Sequence, residues 1–451
     1  MNKNVNENKT DGSEVFRLAP VPRAVLQNAI PAMLAMLMVL VYNLADTFFI
    51  GQTHDALQVS AVSLATPVFL FFMAVGTIFG IGGTSVISRA LGEGRRDYAK
   101  KVCAFCMWAC VVIGILMSIG FLVFMEPLLK LIGASADTWE MTKSYLTIVS
   151  FCGPFVLIAN CFNNVIRAEG QSTKAMMGQL IGNAFNVILD PVFILFLHWN
   201  IVGAAVATVI GNVIGAGYYI GYFLKGNSAL SINIRDVTPK EKVMTSVLAI
   251  GVPASLGSIF MSVSQIVVNA RLASYDDMAL AGYGVAAKVT MITGMICIGL
   301  GQGVQPLLGY CVGAKLTDRF HKVMRFSAIL GLLLSTIMTG LCYLFTNQIV
   351  GVFVTNPDAF SYGIRFVRIL LTTSFLFGIY YVLLNAIQAM GAGTEALIMN
   401  LSRQGLIFIP ALFILEAIIG IHGIVWAQPV ADVLSMLLVI VLYRQCMKKM
   451  L

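Results

Sequence analysis

The chain has 451 residues, of which 58% are hydrophobic and only 11% charged. Soluble domains carry roughly 25% charged residues, so a water-soluble globule is excluded; with a mean hydropathy of +0.87 the apolar surface is expected to meet a lipid bilayer. The formal net charge is +8, but the basic residues sit between apolar segments, which suits a membrane surface and speaks against a nucleic-acid partner.

Residues 1–20 are polar and rich in Asn, without an apolar core or a small-residue cleavage site, and read as a cytoplasmic tail, not a signal peptide. A helix needs about 20 mostly apolar residues to cross the hydrocarbon core. Such runs fall near 24–50, 60–88, 101–125, 144–167, 173–197, 201–224, 243–270, 279–311, 323–346, 361–388, 395–419 and 423–443. The expected fold class is therefore all-α integral membrane, with twelve transmembrane helices. They form an N-lobe at 21–224, a cytoplasmic linker at 225–242, a C-lobe at 243–445 and a cytoplasmic tail at 446–451. With the N-terminus inside, the outer loops hold Lys130, Lys143, Arg271, Arg365 and Arg368, and Lys288 lies within a span; every other Lys and Arg is assigned to the cytoplasmic side.

The halves repeat at an offset of about 221 residues. Ile30-Pro31-Ala32 answers to Val252-Pro253-Ala254. Gly80-Ile-Gly82 with Gly92 answers to Gly301-Gln-Gly303 with Gly313, and Gly170 and Thr173 to Gly391 and Thr394. Six spans per half give both copies the same orientation, as in carriers built from parallel repeats.

An ionisable side chain at bilayer depth costs several kcal/mol in most estimates and is functional by default. Asp46, Asp190, Asp432 and Lys288 are the candidates, while Glu126 and Glu416 lie near span ends, where snorkelling is cheap. Gln179, Asn183, Asn186 and Asp190 share one helical face, as do Asn43 and Asp46 in the first span and Thr208 and Asn212 in the sixth. Oxygens converging from three helices would ligate a small hard cation such as Na⁺. Alternatively, two neighbouring carboxylates shielded from water would carry a proton between them, or each polar group would merely bond across a helix interface. Position 46 maps onto Val268 and position 190 near Ala411, so the acid pair belongs to the first half alone.

The second half carries uncharged stripes: Ser255, Ser258, Ser262, Gln265 and Asn269 in span 7, and Ser374, Gly378, Tyr381, Asn385 and Gln388 in span 10. They suit the wall of a water-accessible cavity, with Met and Phe as soft surroundings for apolar ligands. Nine cysteines lie mostly inside apolar runs, and Cys103/Cys106 has neither a second pair nor a nearby His to complete a zinc site. His54, His198, His321 and His422 show no metal spacing. No HExxH, GxSxG or other catalytic constellation appears, so an enzyme is not expected.

Tyr42-Asn-Leu-Ala-Asp46-Thr-Phe-Phe-Ile-Gly51, Arg167-Ala-Glu-Gly170 and Asn186-Val-Ile-Leu-Asp190-Pro191 resemble multidrug and toxic compound extrusion (MATE) transporters, of the MepA-like bacterial branch, over residues 20–445. The resemblance implies two pseudo-symmetric six-helix lobes that export organic cations and lipophilic drugs in exchange for Na⁺ or H⁺ by alternating access. It implies a multi-pass protein of the bacterial cell membrane, with no cofactor beyond the coupling ion. It assigns the cation site to Asp46, Asn186, Asp190 and Thr208, and a bend of the first helix to Pro31. The acidic residue that some relatives place in the seventh helix is here Met261, which argues against a second site of that type. A lipid-linked oligosaccharide or polyisoprenoid flippase of the related superfamily is the rival reading, and Lys288 is the single clear basic candidate for its cavity. The oligomeric state is left open.

Overall fold

The computed structural model describes residues 14–450 apart from 53–54, 227, 239–241 and 355. Residues 1–13 of the expected N-terminal tail, His54, part of the linker and Leu451 thus lie outside the described residues. Among the described residues there are helices and no strands. Ten helices are long and apolar enough to cross a membrane, and two bent pairs bring the number to twelve.

In chain order the first six are α1 (Val21–Gly51), α2 (Ala56–Gly92), α3 (Arg96–Val123), α4 (Trp139–Phe151 and Gly153–Ala168), α5 (Ser172–Pro191) and α6 (Asn200–Leu224). The second six are α7 (Val243–Ala273), α8 (Asp277–Gly313), α9 (Thr317–Leu344), α10 (Pro357–Ser374 and Phe377–Ala389), α11 (Gly393–Leu401 and Phe408–Ile419) and α12 (Ile421–Met450). The spans read as continuous at 144–167 and 361–388 are in fact bent, by 59° in α4 and 49° in α10. Apolar length alone does not reveal such a break, because both arms remain apolar. α5 runs on into a π-helical turn, Val192–Phe196, and α11 contains another, Ser402–Leu406. Such turns loosen the helical hydrogen-bond ladder and are frequent at functional sites.

Local chemistry sets the ends. Asp55 caps α2, its carboxylate accepting from the Leu57 amide at 2.9 Å. Asn356 caps α10 in the same way, accepting from Asp358 and Ala359, with Pro357 in the first turn. α4 and α10 both stop before a glycine in the left-handed region, Gly170 (φ 82°) and Gly391 (φ 81°).

The residues pack as two compact units. One holds Met38–Gly251, Gly313–Lys315 and the segment ending at Pro20; the other holds Val21–Leu37, Val252–Val312 and everything from Leu316 on. The division therefore cuts through α1 and α7, not through the loops, where the sequence division into 21–224 and 243–445 places it. The repeated glycines explain the exchange. In α8 a Cβ at Gly303 would lie 2.6 Å from the Ala29 Cα, so only glycine admits the start of α1. In α2 the partner of the missing Cβ at Gly82 is the Val247 carbonyl, at the start of α7.

After α6 the chain stays bound to the first unit. Glu169, which is 3% exposed, accepts from the Tyr222 hydroxyl (2.7 Å), the Ser228 hydroxyl (2.7 Å) and the Ala229 amide (3.1 Å). Trp108 donates to the Ile232 carbonyl at 3.1 Å.

Candidate functional site

In the first unit, α1, α4, α5 and α6 bring polar side chains together. Helical spacing places Asn186 and Asp190 on the buried face of α5, at 2% and 0% exposure, with Thr208 of α6 at 3%. The Asn186 amide donates to the Thr208 hydroxyl at 3.3 Å. Asp46 of α1 is half-buried and lies within electrostatic range of Asp190. Tyr42 of α1 and Tyr145 of α4 lie within electrostatic range of the two acids.

This cluster is rich in oxygens and short of donors. Both Asp190 carboxylate oxygens, Asp46 Oδ1 and the Asn186 amide oxygen are buried without a hydrogen-bond partner among the described residues. Buried polar atoms are nearly always paired, and several orphaned acceptors within one cluster fit a positively charged guest. The donor set is carboxylate, amide and hydroxyl oxygen, which suits a hard alkali cation or a proton. Among the described residues no three His, Cys, Asp or Glu side chains converge, so the set does not match a transition-metal centre.

Other residues that the sequence singles out behave differently. Gln179 and Asn183 bond each other at 3.2 Å on the same face of α5, leaving the Asn183 amide nitrogen without a partner. Asn43 and Asn212 turn their amides back onto their own helices, to Val39 and Thr208 carbonyls at 2.8 Å. Pro31 is buried, and α1 continues helical through it. Tyr42 and Tyr145 are not foreseen as site residues. Tyr42 stands one helical turn before Asp46 and was legible from that spacing; Tyr145 lies in a helix of mixed polarity with no such signal.

The second unit departs from expectation at the α10 stripe, at Arg403 and at Glu416. Ser262, Gln265 and Asn269 of α7 are exposed, with Gln265 bonding Asn269 at 3.1 Å. The α10 stripe, by contrast, is no open wall: Ser374, Gly378, Asn385 and Gln388 are buried, and Gly378 meets Gly331 of α9 backbone to backbone. Tyr381 is half-buried, and Asn385 donates to its carbonyl. This unit also buries charged side chains, Asp432, which the sequence places at bilayer depth, and Arg403. Arg403, which loop counting assigns to the cytoplasmic side, stands in the π-helical turn of α11 and is 6% exposed. Its Nε donates to Asp432 at 2.8 Å and its Nη1 to the Tyr381 hydroxyl at 3.1 Å. Its guanidinium lies 4.7 Å from the Phe377 ring centre and 4.8 Å from that of Tyr380. Thr373 and Gln428 also donate to Asp432, at 3.1 and 2.9 Å. The turn leaves the Gln404 carbonyl free to accept from Ser264. Glu416 is likewise no snorkelling side chain; it is 7% exposed and receives three hydrogen bonds from Arg271. Lys288 is exposed and lies over the Phe353 ring.

Comparison with known proteins accords with this architecture. The family model described as MatE matches residues 31–192 and again 253–414, the two halves of the repeat. The multidrug export protein MepA of Staphylococcus aureus is 32% identical over 434 residues, covering 95% of each chain. The MepA of Staphylococcus haemolyticus is 32% identical over 419 residues, covering 92% of each. In fold, the chain matches a multidrug resistance MATE family transporter of the MOP superfamily in an outward-facing conformation, with a TM-score of 0.93 at 22% identity over 98% of this chain and 99% of the other.

Proposed function

Since this chain belongs to the MatE family, we propose that it is a multidrug exporter of the bacterial cell membrane, driven by inward movement of Na⁺ or H⁺ through alternating access. The observation that carries the coupling is the group of orphaned oxygens on Asp46, Asn186 and Asp190 beside the Thr208 hydroxyl. A buried carboxylate is costly without a positive partner, and a cation entering from the aqueous phase supplies one. Ion binding drives transport only where its affinity differs between the inward- and outward-open states, and a site assembled from four helices is sensitive to their movement. The exposed face of α7, where Ser262, Gln265 and Asn269 alternate with Met261, Val263 and Ile266, supports lipophilic substrates with a polar or cationic end. The loop bias of Lys and Arg supports cytoplasmic termini.

Ethidium efflux from everted vesicles, under an imposed pH or Na⁺ gradient in turn, tests the reading. The gradient that drives efflux identifies the ion. Asp46→Asn and Asp190→Asn should each abolish ion-driven efflux while the protein stays in the membrane; full efflux in either variant refutes the assignment.

A further inference from the structure

Both units bury a carboxylate where their fifth and sixth helices meet, and they treat it in opposite ways. Asp190 on α5 has no protein donor to either oxygen among the described residues. Asp432 on α12 has donors from Arg403, Gln428 and Thr373. Aligning Gly203 with Gly423 sets Thr208 against Gln428 (208 + 220 = 428) and Asn212 against Asp432 (212 + 220 = 432). Aligning Thr173 with Thr394 sets Gly182 against Arg403 (182 + 221 = 403) and Asp190 against Ala411 (190 + 221 = 411). Gly182 lies against α6 with nothing between the backbones; its missing Cβ would stand 2.8 Å from the Gly211 carbonyl oxygen. At the matching place in the second unit, the chain inserts a guanidinium.

We propose that Arg403 is the resident cation of the C-terminal unit: beside Asp432 it takes the place that an exchanged cation takes beside Asp190, so coupling runs through the N-terminal acids alone. The inference rests on the reading of the first unit given above. A carboxylate so buried needs positive charge, and a charge tethered to α11 cannot leave for the aqueous phase. The rings of Phe377, Tyr380 and Tyr381 hold the guanidinium further by cation–π contact. Without it, Asp432 and Thr373 would present carboxylate and hydroxyl oxygens, the same kinds of ligand that Asp190 and Thr208 present.

Sodium binding to the full-length protein in detergent decides the matter, counted with radioactive Na⁺ at equilibrium and followed by thermal unfolding in Na⁺ against choline. Arg403→Gln should bind one more Na⁺ per chain than wild type, and Na⁺ should raise its unfolding midpoint more than that of wild type. Arg403→Gln combined with Asp432→Asn should lose both gains, and Asp432→Asn alone should keep the wild-type count. Arg403→Lys retains the charge and should bind no extra Na⁺, which provides a reading even if Arg403→Gln fails to fold. An Arg403→Gln protein without the extra Na⁺, an Arg403→Lys protein with it, or a wild type that loses Na⁺ on Asp432→Asn overturns the proposal. Asp190→Asn in the wild type reports on the N-terminal site separately; if it changes neither Na⁺ binding nor ion-driven efflux, that reading fails while the Arg403 comparison stands.

Discussion

Asn186 gives its amide to the Thr208 hydroxyl across 3.3 Å, and its carbonyl oxygen is buried with nothing among the described residues to accept from. The pair joins α5 to α6 and fixes the amide so that acceptors, not donors, face the acids. Such an arrangement favours function over stability. Asp190→Asn replaces a buried carboxylate by a neutral amide of the same shape and removes the need for a compensating charge. Its unfolding midpoint in detergent should therefore equal or exceed that of wild type, although efflux is lost. A midpoint well below wild type would show that the carboxylate is a structural group.

Tyr42 and Tyr145 should tune ion affinity. Each phenol lies within electrostatic range of the acids, and a hydroxyl that helps to hold the bound ion is worth about one hydrogen bond, about 1 kcal/mol, or roughly a fivefold change in affinity. Tyr145→Phe is expected to raise the ion concentration for half-maximal efflux by about that factor, with expression unchanged. Asn212→Ala removes an amide already bonded to its own helix and should leave that concentration unaltered.

Glu169 should be needed for a stable first unit. Glu169→Ala leaves the Tyr222 and Ser228 hydroxyls and the Ala229 amide without their acceptor, and each orphaned buried group costs about 1–3 kcal/mol. A lower unfolding midpoint and faster proteolysis within 226–236 are the expected results.

The two glycines at the helix approaches should be intolerant, and a third should not be. Gly303→Ala drives a methyl group into the α1 backbone, an overpacking worth about 1–3 kcal/mol, and Gly82→Ala does the same against α7. Gly120→Ala in α3 meets nothing within 4 Å and should stabilise the helix by up to about 1 kcal/mol. Thermal unfolding of the three variants side by side checks the order.

Much of this molecule is legible from its residues. Apolar runs of membrane length are one-dimensional signals, and the Gly and Pro repeats mark the two halves. Asp46, Asn186 and Asp190 announce themselves because charge and helical spacing coincide. Tyr145 does not, since nothing in a mixed helix says which neighbour it will meet. Arg403 escapes for a related reason: a lone basic residue near a helix start reads as a loop charge until its partner, Asp432, twenty-nine residues on, comes to lie beside it. The bends in α4 and α10 are marked locally, by Gly153-Pro154 after Cys152 and by Thr372-Thr373-Ser374 before Phe375, but a reading by apolar length passes over them because both arms remain apolar.

α1 and α7 each run as one helix across the boundary between the two units. Ser228, Ala229 and Ile232, after α6, are held by Glu169 and Trp108, and α7 has already begun within the first unit before its chain crosses at Gly251–Val252. Pro31 and Pro253, each lacking the amide hydrogen that would brace the preceding turn, lie within two turns of those crossings and are where such rods would flex first.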